Sequence, residues 1–400
     1  MKILIVCQYY YPEQFQINEI APELVRRGHQ VTVLTGLPNY PQGEIYTGYE
    51  NGQKRKEIID GVKIVRVEEH PRKQGAKNLF LNYLSFARNG SKAIKGFSPD
   101  YDIVLCYQLS PVTMAKPAID YAKKYKKPLV LYCLDIWPES AKDHMNIPVV
   151  YEMIGQISKR LYRQCDHISV TSRPFIDYFK EVIDYDESKM SYIPQHADEG
   201  MLSQNLDSEE NGTADFLYAG NMGKGQTLDV IIMAVAELKD RDDFLVHMVG
   251  DGSKRTELET LSRELGVSEK VIFYGNQKRE DMPTFYKKAD ALLITLRGNN
   301  AVGNTMPGKL QMYMTTGKPI IGAINGAANE VIRESGCGVC VRAGDYKGLS
   351  KLMADYIDHT DKYSDCGENG KSYFKAHFTL KNYIDSLEEL MRKTVQSYEC

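Results

Sequence analysis

The sequence predicts an α/β protein built from two doubly wound, Rossmann-like domains, their parallel sheets facing each other across a cleft. Three observations predict it. Short apolar runs alternate with helix-period segments along the chain, which is the signature of βαβ units. The alternation breaks at a polar, turn-rich stretch, Asn205 to Thr213, and then starts again. The chain has 400 residues, too many for one ordinary core and suited to two of about 200.

In the first half the expected strands are Ile3–Cys7, Val31–Leu34, Val62–Val67, Ile103–Cys106, Leu129–Tyr132 and Ile168–Val170. A helix pattern over Asn18–Arg27 closes at Gly28, the residue type that best tolerates the conformation after a helix end. The second series is Phe216–Ala219, Leu245–Val249, Val271–Tyr274, Ala291–Thr295, Pro319–Ala323 and Gly338–Val341, with helices such as Leu228–Leu238 and Lys254–Leu265 between them. The first domain is expected over residues 1–198 and the second over 199–378, with the hinge within 194–211. An amphipathic helix from Thr379 to Ser397 is expected to bring 379–400 back onto the first domain.

Composition excludes several classes. A net charge of −3 gives no whole-chain argument for nucleic-acid binding. No run of 18 apolar residues suggests a membrane-spanning helix. The opening Met1–Cys7 run is too short for a signal peptide, and a polar, aromatic loop follows it. Of the eight cysteines, Cys7, Cys106 and Cys133 lie in apolar strands, as small buried hydrophobes do. Cys337 and Cys340 have no second pair at zinc-binding spacing, and free thiols suit a reducing compartment.

In doubly wound domains ligands bind beyond the carboxyl ends of the strands, so the loops there carry the chemistry. After the first strand of the second domain comes Gly220-Asn221-Met222-Gly223-Lys224-Gly225, followed by a helix expected to open at Thr227. Glycines allow close backbone approach, a helix N-terminus offers N–H groups to phosphate, and Lys224 adds charge. Val249-Gly250-Asp251-Gly252-Ser253-Lys254 reads as a tight strand-to-helix turn with Ser253 as cap. The loop Arg297 to Lys309 precedes a helix over Lys309–Thr315. Pro307 suits its first turn, but Lys309 opposes the helix dipole there, which makes sense beside an anion.

In the first domain, Cys133-Leu134-Asp135-Ile136-Trp137-Pro138-Glu139-Ser140 holds the only tryptophan. Trp137 either stacks on a sugar or fills the core; Asp135 either orients a sugar hydroxyl or caps a helix. Gln8 to Gln14 is aromatic and polar and has no G-x-G-x-x-G pattern, which argues against a dinucleotide site. Pro71–Phe97 carries six basic and no acidic residues among interleaved apolar ones. It reads either as a membrane-surface helix or as a helix with a solvated basic face.

Together these motifs resemble glycosyltransferase family 4 over nearly the whole chain. The opening Met1 to Glu13 and Glu23 to Thr35 are similar to its first units. Asp135-Ile-Trp-Pro-Glu139 is similar to a motif of the branch that builds O-antigen, capsule and colanic-acid-like polysaccharides. Ile193-Pro-Gln-His-Ala-Asp198 resembles its domain junction, and Val249–Gly252, Val271–Gly275 and Gly317–Gly322 complete the pattern.

The resemblance implies a GT-B fold and a retaining transferase. It would move a sugar from a nucleotide-sugar, with UDP expected, to a lipid-linked glycan or polysaccharide. Lys309, Lys224 and Asp135 are the implied catalytic residues. Gly220, Asn221, Gly223, Asp251, Asn276, Pro307, Gly308 and Glu330 would meet the donor, and Tyr10, Glu13, Gln14, Trp137 and Glu139 the acceptor. No cofactor, metal or nucleic acid is expected. The expected location is cytoplasmic, at the inner membrane face, with contact through 71–97. Two glutamates common in the family are Asn304 and Met312 here, and a common arginine is Asn221. Met312 cannot hydrogen-bond a ribose, so Glu330 is the substitute considered. The rival readings are a UDP-sugar 2-epimerase and an inactive, membrane-associated assembly partner.

Overall fold

The computed structural model describes residues 1–109, 111–144, 148–208, 211–298 and 305–399. The chain divides into two units, Met1–Pro194 with Tyr383–Cys400, and Gln195–Asn382. These divisions fall a few residues from the expected 198 and 378.

The first unit holds β1 (Lys2–Val6), β2 (Gln30–Thr35), β3 (Lys56–Ile59), β4 (Val62–Arg66), β5 (Ile103–Gln108), β6 (Leu129–Cys133), β7 (His167–Val170) and β8 (Met190–Tyr192). Their order across the sheet is β3-β4-β2-β1-β5-β6-β7-β8. Central strands such as Ile-Val-Leu-Cys-Tyr-Gln in β5 are buried throughout, as strands covered on both faces must be. β3 was not anticipated. It pairs antiparallel with β4 through Asp60 and Gly61, both at positive φ, 49° and 79°. Asp-Gly between apolar residues is the sequence signal for such a hairpin. Short β8 was also missed.

The final helix, Leu380–Glu399, belongs mainly to the first unit. Tyr383 meets the Tyr132 ring edge-on at 5.4 Å. Glu388 accepts from His29 Nε2 at 2.7 Å and Arg27 Nη1 at 3.3 Å.

The second unit holds β9 (Ala214–Ala219), β10 (Phe244–Val249), β11 (Val271–Gly275), β12 (Ala291–Thr295), β13 (Ile320–Ala323) and β14 (Gly338–Val341). All neighbours pair in parallel, in the order β11-β10-β9-β12-β13-β14. Numbered within the unit this is 3-2-1-4-5-6, so the winding reverses between β9 and β12, where a crevice opens at the carboxyl ends. One apolar cluster, including Ile231, Leu258 and Leu349, packs one sheet face. Another, including Leu310, Tyr313 and Phe374, packs the other.

Candidate active site

The crevice between β9 and β12 places the second unit's candidate residues. β9 ends in Gly220, at φ 143°. A Cβ there would lie 2.8 Å from Lys309 Cε and 3.0 Å from Nζ, so a side chain would evict the lysine. Pro307 stands just before the helix Gly308–Thr316, with extended ψ of 126°, rather than in its first turn. Lys309 is the second residue of that helix and projects back toward the β9 loop.

Lys309 as a whole is half-buried, but its ammonium is enclosed. Nζ sits 3.5 Å from the Tyr218 ring centroid and 3.5 Å from Gln226 Oε1, a weak contact. Burial holds its pKa well below the usual lysine range. Among the described residues no carboxylate pairs with it. An enclosed cation with an aromatic face and one weak amide contact, and no carboxylate among the described residues, favours an incoming anion.

The glycine-rich turns build the wall around this amine. The Tyr218 hydroxyl donates to Asn221 O at 2.7 Å. Met222 N donates to Asp251 O at 2.8 Å, and Lys254 N to Met222 O at 2.9 Å. A Cβ on Gly250 would meet Gly220 O at 1.9 Å, and one on Gly252 would lie 2.6 Å from Asn221 Oδ1. The second turn therefore braces the first. Gly223 also lies against the Asn221 side chain.

Thr227 departs from its expected role. It sits at φ 46° after a short 3-10 turn, Lys224–Gln226, and the helix starts at Asp229. Its left-handed backbone separates the turn from the helix. Ser253 is likewise not the cap, since Lys254 stands there without a side-chain capping bond. The β12 loop joins the wall as Arg297 N donates to Gly225 O at 2.9 Å and Thr295 Oγ1 to Gln226 O at 2.5 Å.

The other second-unit candidates differ in engagement. Lys224 and Asn276 are exposed on their loops. Asp251 is exposed too, accepting from its neighbour Gly252 N at 2.7 Å and from Arg255 Nη1 at 3.4 Å. Glu330 is half-buried in the helix Gly326–Ser335. Met312 packs against the core, and Asn304 lies outside the described residues. Tyr218 and Gln226 were not anticipated; the only signal was an aromatic residue two places before Gly220.

In the first unit, two acceptor candidates turn out to be internal. Tyr10 is 3% exposed, a core side chain that offers no ligand surface. Glu13 is 2% exposed; its Oε1 accepts from Asn39 N at 2.8 Å and Tyr40 N at 2.7 Å. Burial pushes the carboxyl up to about 7. It clamps the loop after β2 rather than meeting an acceptor. Gln14 is exposed.

Asp135 accepts from the Ser140 hydroxyl five residues on, in the 3-10 turn Glu139–His144. Trp137 is half-buried, edge-on to Tyr83 at 6.1 Å. Glu139 accepts from the Tyr151 hydroxyl at 2.6 Å. A buried polar network was not foreseen. Glu69 accepts from Gln8 Nε2 at 3.1 Å and Asn39 Nδ2 at 2.5 Å, and Gln8 also donates to Asn82 Oδ1 at 2.8 Å. Burial raises the Glu69 carboxyl well above the usual range. Its signal was the acidic pair Glu68-Glu69 just after β4.

Among the described residues no cluster of three His, Cys, Asp or Glu side chains could hold a metal ion. None of the described helices is long and apolar enough to cross a membrane.

Two loop-bearing α/β units, one with an enclosed amine at its winding reversal, are the framework of a glycosyltransferase. The comparisons agree. Residues 15–199 match the model for glycosyltransferase family 4, and residues 205–373 that for glycosyl transferases group 1. The chain belongs to glycosyltransferase family 4, with the GT-B fold.

The lipopolysaccharide 1,6-galactosyltransferase of Escherichia coli (strain K12) is 25% identical over 338 residues, spanning 81% of this chain and 83% of its own. A second protein of that strain, whose name assigns it provisionally to colanic acid biosynthesis, is 24% identical over 342 residues, 79% of this chain and 82% of its own. Among solved structures, Anabaena HepE in complex with UDP superposes with a TM-score of 0.71 at 15% identity, covering 98% of this chain and 100% of that one.

Proposed function

We propose that the chain transfers a sugar from a nucleotide-sugar, with UDP as the nucleotide, to a lipid-linked or polysaccharide acceptor in cell-surface glycan synthesis, with retention at the anomeric carbon. The observation that carries the reading is the enclosed Lys309 ammonium, lacking a carboxylate partner among the described residues, at the carboxyl ends of β9 and β12. As the bond from the anomeric carbon to the diphosphate oxygen breaks, negative charge gathers on that oxygen. An amine preorganised in a water-poor wall stabilises it without reorganising.

Gly220, Asn221 and Gly223 let the diphosphate approach the backbone. Lys224, exposed on the same turn, adds a second cation, and Pro307 and Gly308 set the start of the helix that carries Lys309. Asp251, Asn276 and Glu330 belong to the nucleoside side. The acceptor hydroxyl bonds to the anomeric carbon and its proton passes to the leaving phosphate oxygen, so neither a protein nucleophile nor a metal is needed. On the first unit Asp135, held by Ser140, orients a sugar hydroxyl, and Gln14, Trp137 and Glu139 line the acceptor side. The relatives support the substrate class: one is a lipopolysaccharide galactosyltransferase, and HepE was solved with UDP-glucose.

The same reading places the protein at the cytoplasmic face of a membrane. The helix Ala76–Ala93 shows solvent a stripe of Lys77, Phe80, Leu84, Arg88 and Lys92, with Phe80 61% and Leu84 51% exposed. Apolar tips among cations suit an anionic lipid surface.

Thermal stability is measured with UDP, GDP, ADP and their sugar conjugates, followed by product analysis with membrane lipid extracts. The expected result is a rise in Tm with UDP and its sugar and label transferred to lipid. Free sugar released without acceptor would instead identify an epimerase. Vesicle binding with no donor binding or consumption would identify an inactive partner.

A further inference from the structure

We infer that the first unit carries an oxyanion subsite centred on Arg72, which takes a phosphate or carboxylate group of the acceptor. This rests on the reading of that unit as the acceptor side. Arg72 follows β4 and precedes the helix Ala76–Ala93. Its backbone N–H donates to Asn39 Oδ1 at 2.8 Å, which fixes where the side chain starts. The guanidinium lies over the Tyr40 ring at 5.2 Å and the Tyr83 ring at 5.9 Å from their centroids. Its only polar side-chain contact among the described residues is a marginal 3.5 Å approach to the Tyr9 hydroxyl.

The missing partner is informative because carboxylates are near. Glu69 is three residues away, but both its oxygens are occupied by Gln8 and Asn39. Glu13 is committed to backbone N–H groups. A guanidinium holds five donors in a planar fork, so this one has several unspent. Aromatic faces fix its plane without using those donors.

The surroundings fit a glycan. Phe15, Tyr9 and Tyr40 pack on one another, with centroids 5.4 to 5.7 Å apart. Tyr83 continues the wall to Trp137. These aromatic side chains come from loops following β1, β2 and β6, and from one helix, the set that borders the winding reversal beside β1. Aromatic faces take the apolar faces of sugar rings, while the fork takes an oxyanion with two parallel hydrogen bonds.

The test is calorimetric titration in excess UDP, so that the donor site is filled. The probes are a short prenyl diphosphate, an alkyl glucuronide and the matching neutral alkyl glucoside. At least one anionic probe is expected to bind about 10-fold or more tighter than the glucoside, since a hydrogen bond to a charged group contributes on that scale. The diphosphate arm against the glucuronide arm distinguishes a lipid phosphate from a sugar carboxylate. Arg72→Gln is expected to abolish the preference and Arg72→Lys to keep part of it, because charge survives but the fork does not.

Anionic and neutral probes binding alike to the wild-type protein, or an undiminished preference in Arg72→Gln, would overturn the proposal. Should Arg72→Gln fail to fold, undiminished preference in Arg72→Lys overturns it instead. UDP binding is followed in every sample by thermal shift. Its loss would count against the donor reading, and an anion preference lost while UDP still binds would count for Arg72.

Discussion

Lys309→Met separates the two roles that the amine combines. In the ligand-free protein the ammonium is desolvated and lacks a carboxylate partner among the described residues, so its folded-state pKa lies well below its unfolded value. Between those two values the unfolded chain binds more protons than the folded one, and stability rises with pH. Below the folded value both states are protonated, and the full cost of the buried charge is present. Methionine removes this pH dependence, fills similar volume and loses the cation–π contact with Tyr218, about 0.5–2 kcal/mol.

A bound diphosphate reverses the balance by favouring the charged amine. UDP binding is therefore expected to take up a proton in the pH range where Lys309 is neutral. Calorimetry in buffers of different ionisation enthalpy reads this directly. In catalysis, losing one group that stabilises a developing oxyanion costs about 3–4 kcal/mol, roughly 100-fold or more in turnover, and at least ~10-fold is expected here. Buffer-independent heats in both proteins, or wild-type turnover in Lys309→Met, would refute the role of the enclosed amine.

Gly220→Ala forces a left-handed-side backbone onto alanine and drives its methyl into Lys309. It is expected to lower Tm and to reduce turnover about as much as losing the lysine, read by melting and kinetics. Glu13→Gln keeps an acceptor for the two backbone N–H groups but removes a carboxyl pushed up to about 7. The folded wild type binds the extra proton between about 4.5 and 7, so its stability falls as pH rises through that window. The variant should lack the fall and gain about 3 kcal/mol at pH 8, checked by urea unfolding at several pH values. Glu388→Ala removes the carboxylate that His29 Nε2 contacts beneath the final helix, while Arg27 keeps Asp385 and Glu23, at a cost of about 1–3 kcal/mol in denaturant unfolding. Phe80→Ser with Leu84→Ser should abolish flotation with anionic vesicles while leaving the UDP-induced Tm shift intact, and unchanged flotation would remove the stripe from the membrane reading.

The sequence made the sheets legible because central parallel strands are buried on both faces and read as unbroken apolar runs. β5 and β12 needed nothing more than that pattern. β3 escaped because Lys-Glu-Ile-Ile at a sheet edge is only half covered, although its Asp-Gly turn was visible. Lys309 was legible through its conflict with a helix dipole, a local property. Tyr218 and Arg72 were not, because their meaning depends on which side chain lies across from them, and that is set by packing between loops far apart in sequence. Tyr10 and Glu13 were misread for the same reason: a loop after a strand can turn its aromatic and acidic side chains inward, and the sequence of Gln8 to Gln14 does not say which way each points.

Apart from the β3 and β8 edges, the two sheets share one winding, 3-2-1-4-5-6, yet their first loops have opposite chemistry. In the second unit the crossing after β9 is short and glycine-rich, with an amine enclosed beside it. Such a loop brings backbone N–H groups and one cation close to a compact anion, and leaves little room for anything wider. In the first unit the loop after β1 is of nearly the same length but carries Tyr9 and Phe15, and is held by the buried Gln8–Glu69–Asn82 network. A rigid aromatic loop of this kind offers area rather than charge, which suits sugar rings. Grafting the glycines of one onto the other would lose both properties: the first unit would shed its stacking faces, and the second would close the space that Lys309 needs. On the proposed function, the division of labour between a diphosphate donor and a glycan acceptor would follow from loop composition at equivalent points of the same topology.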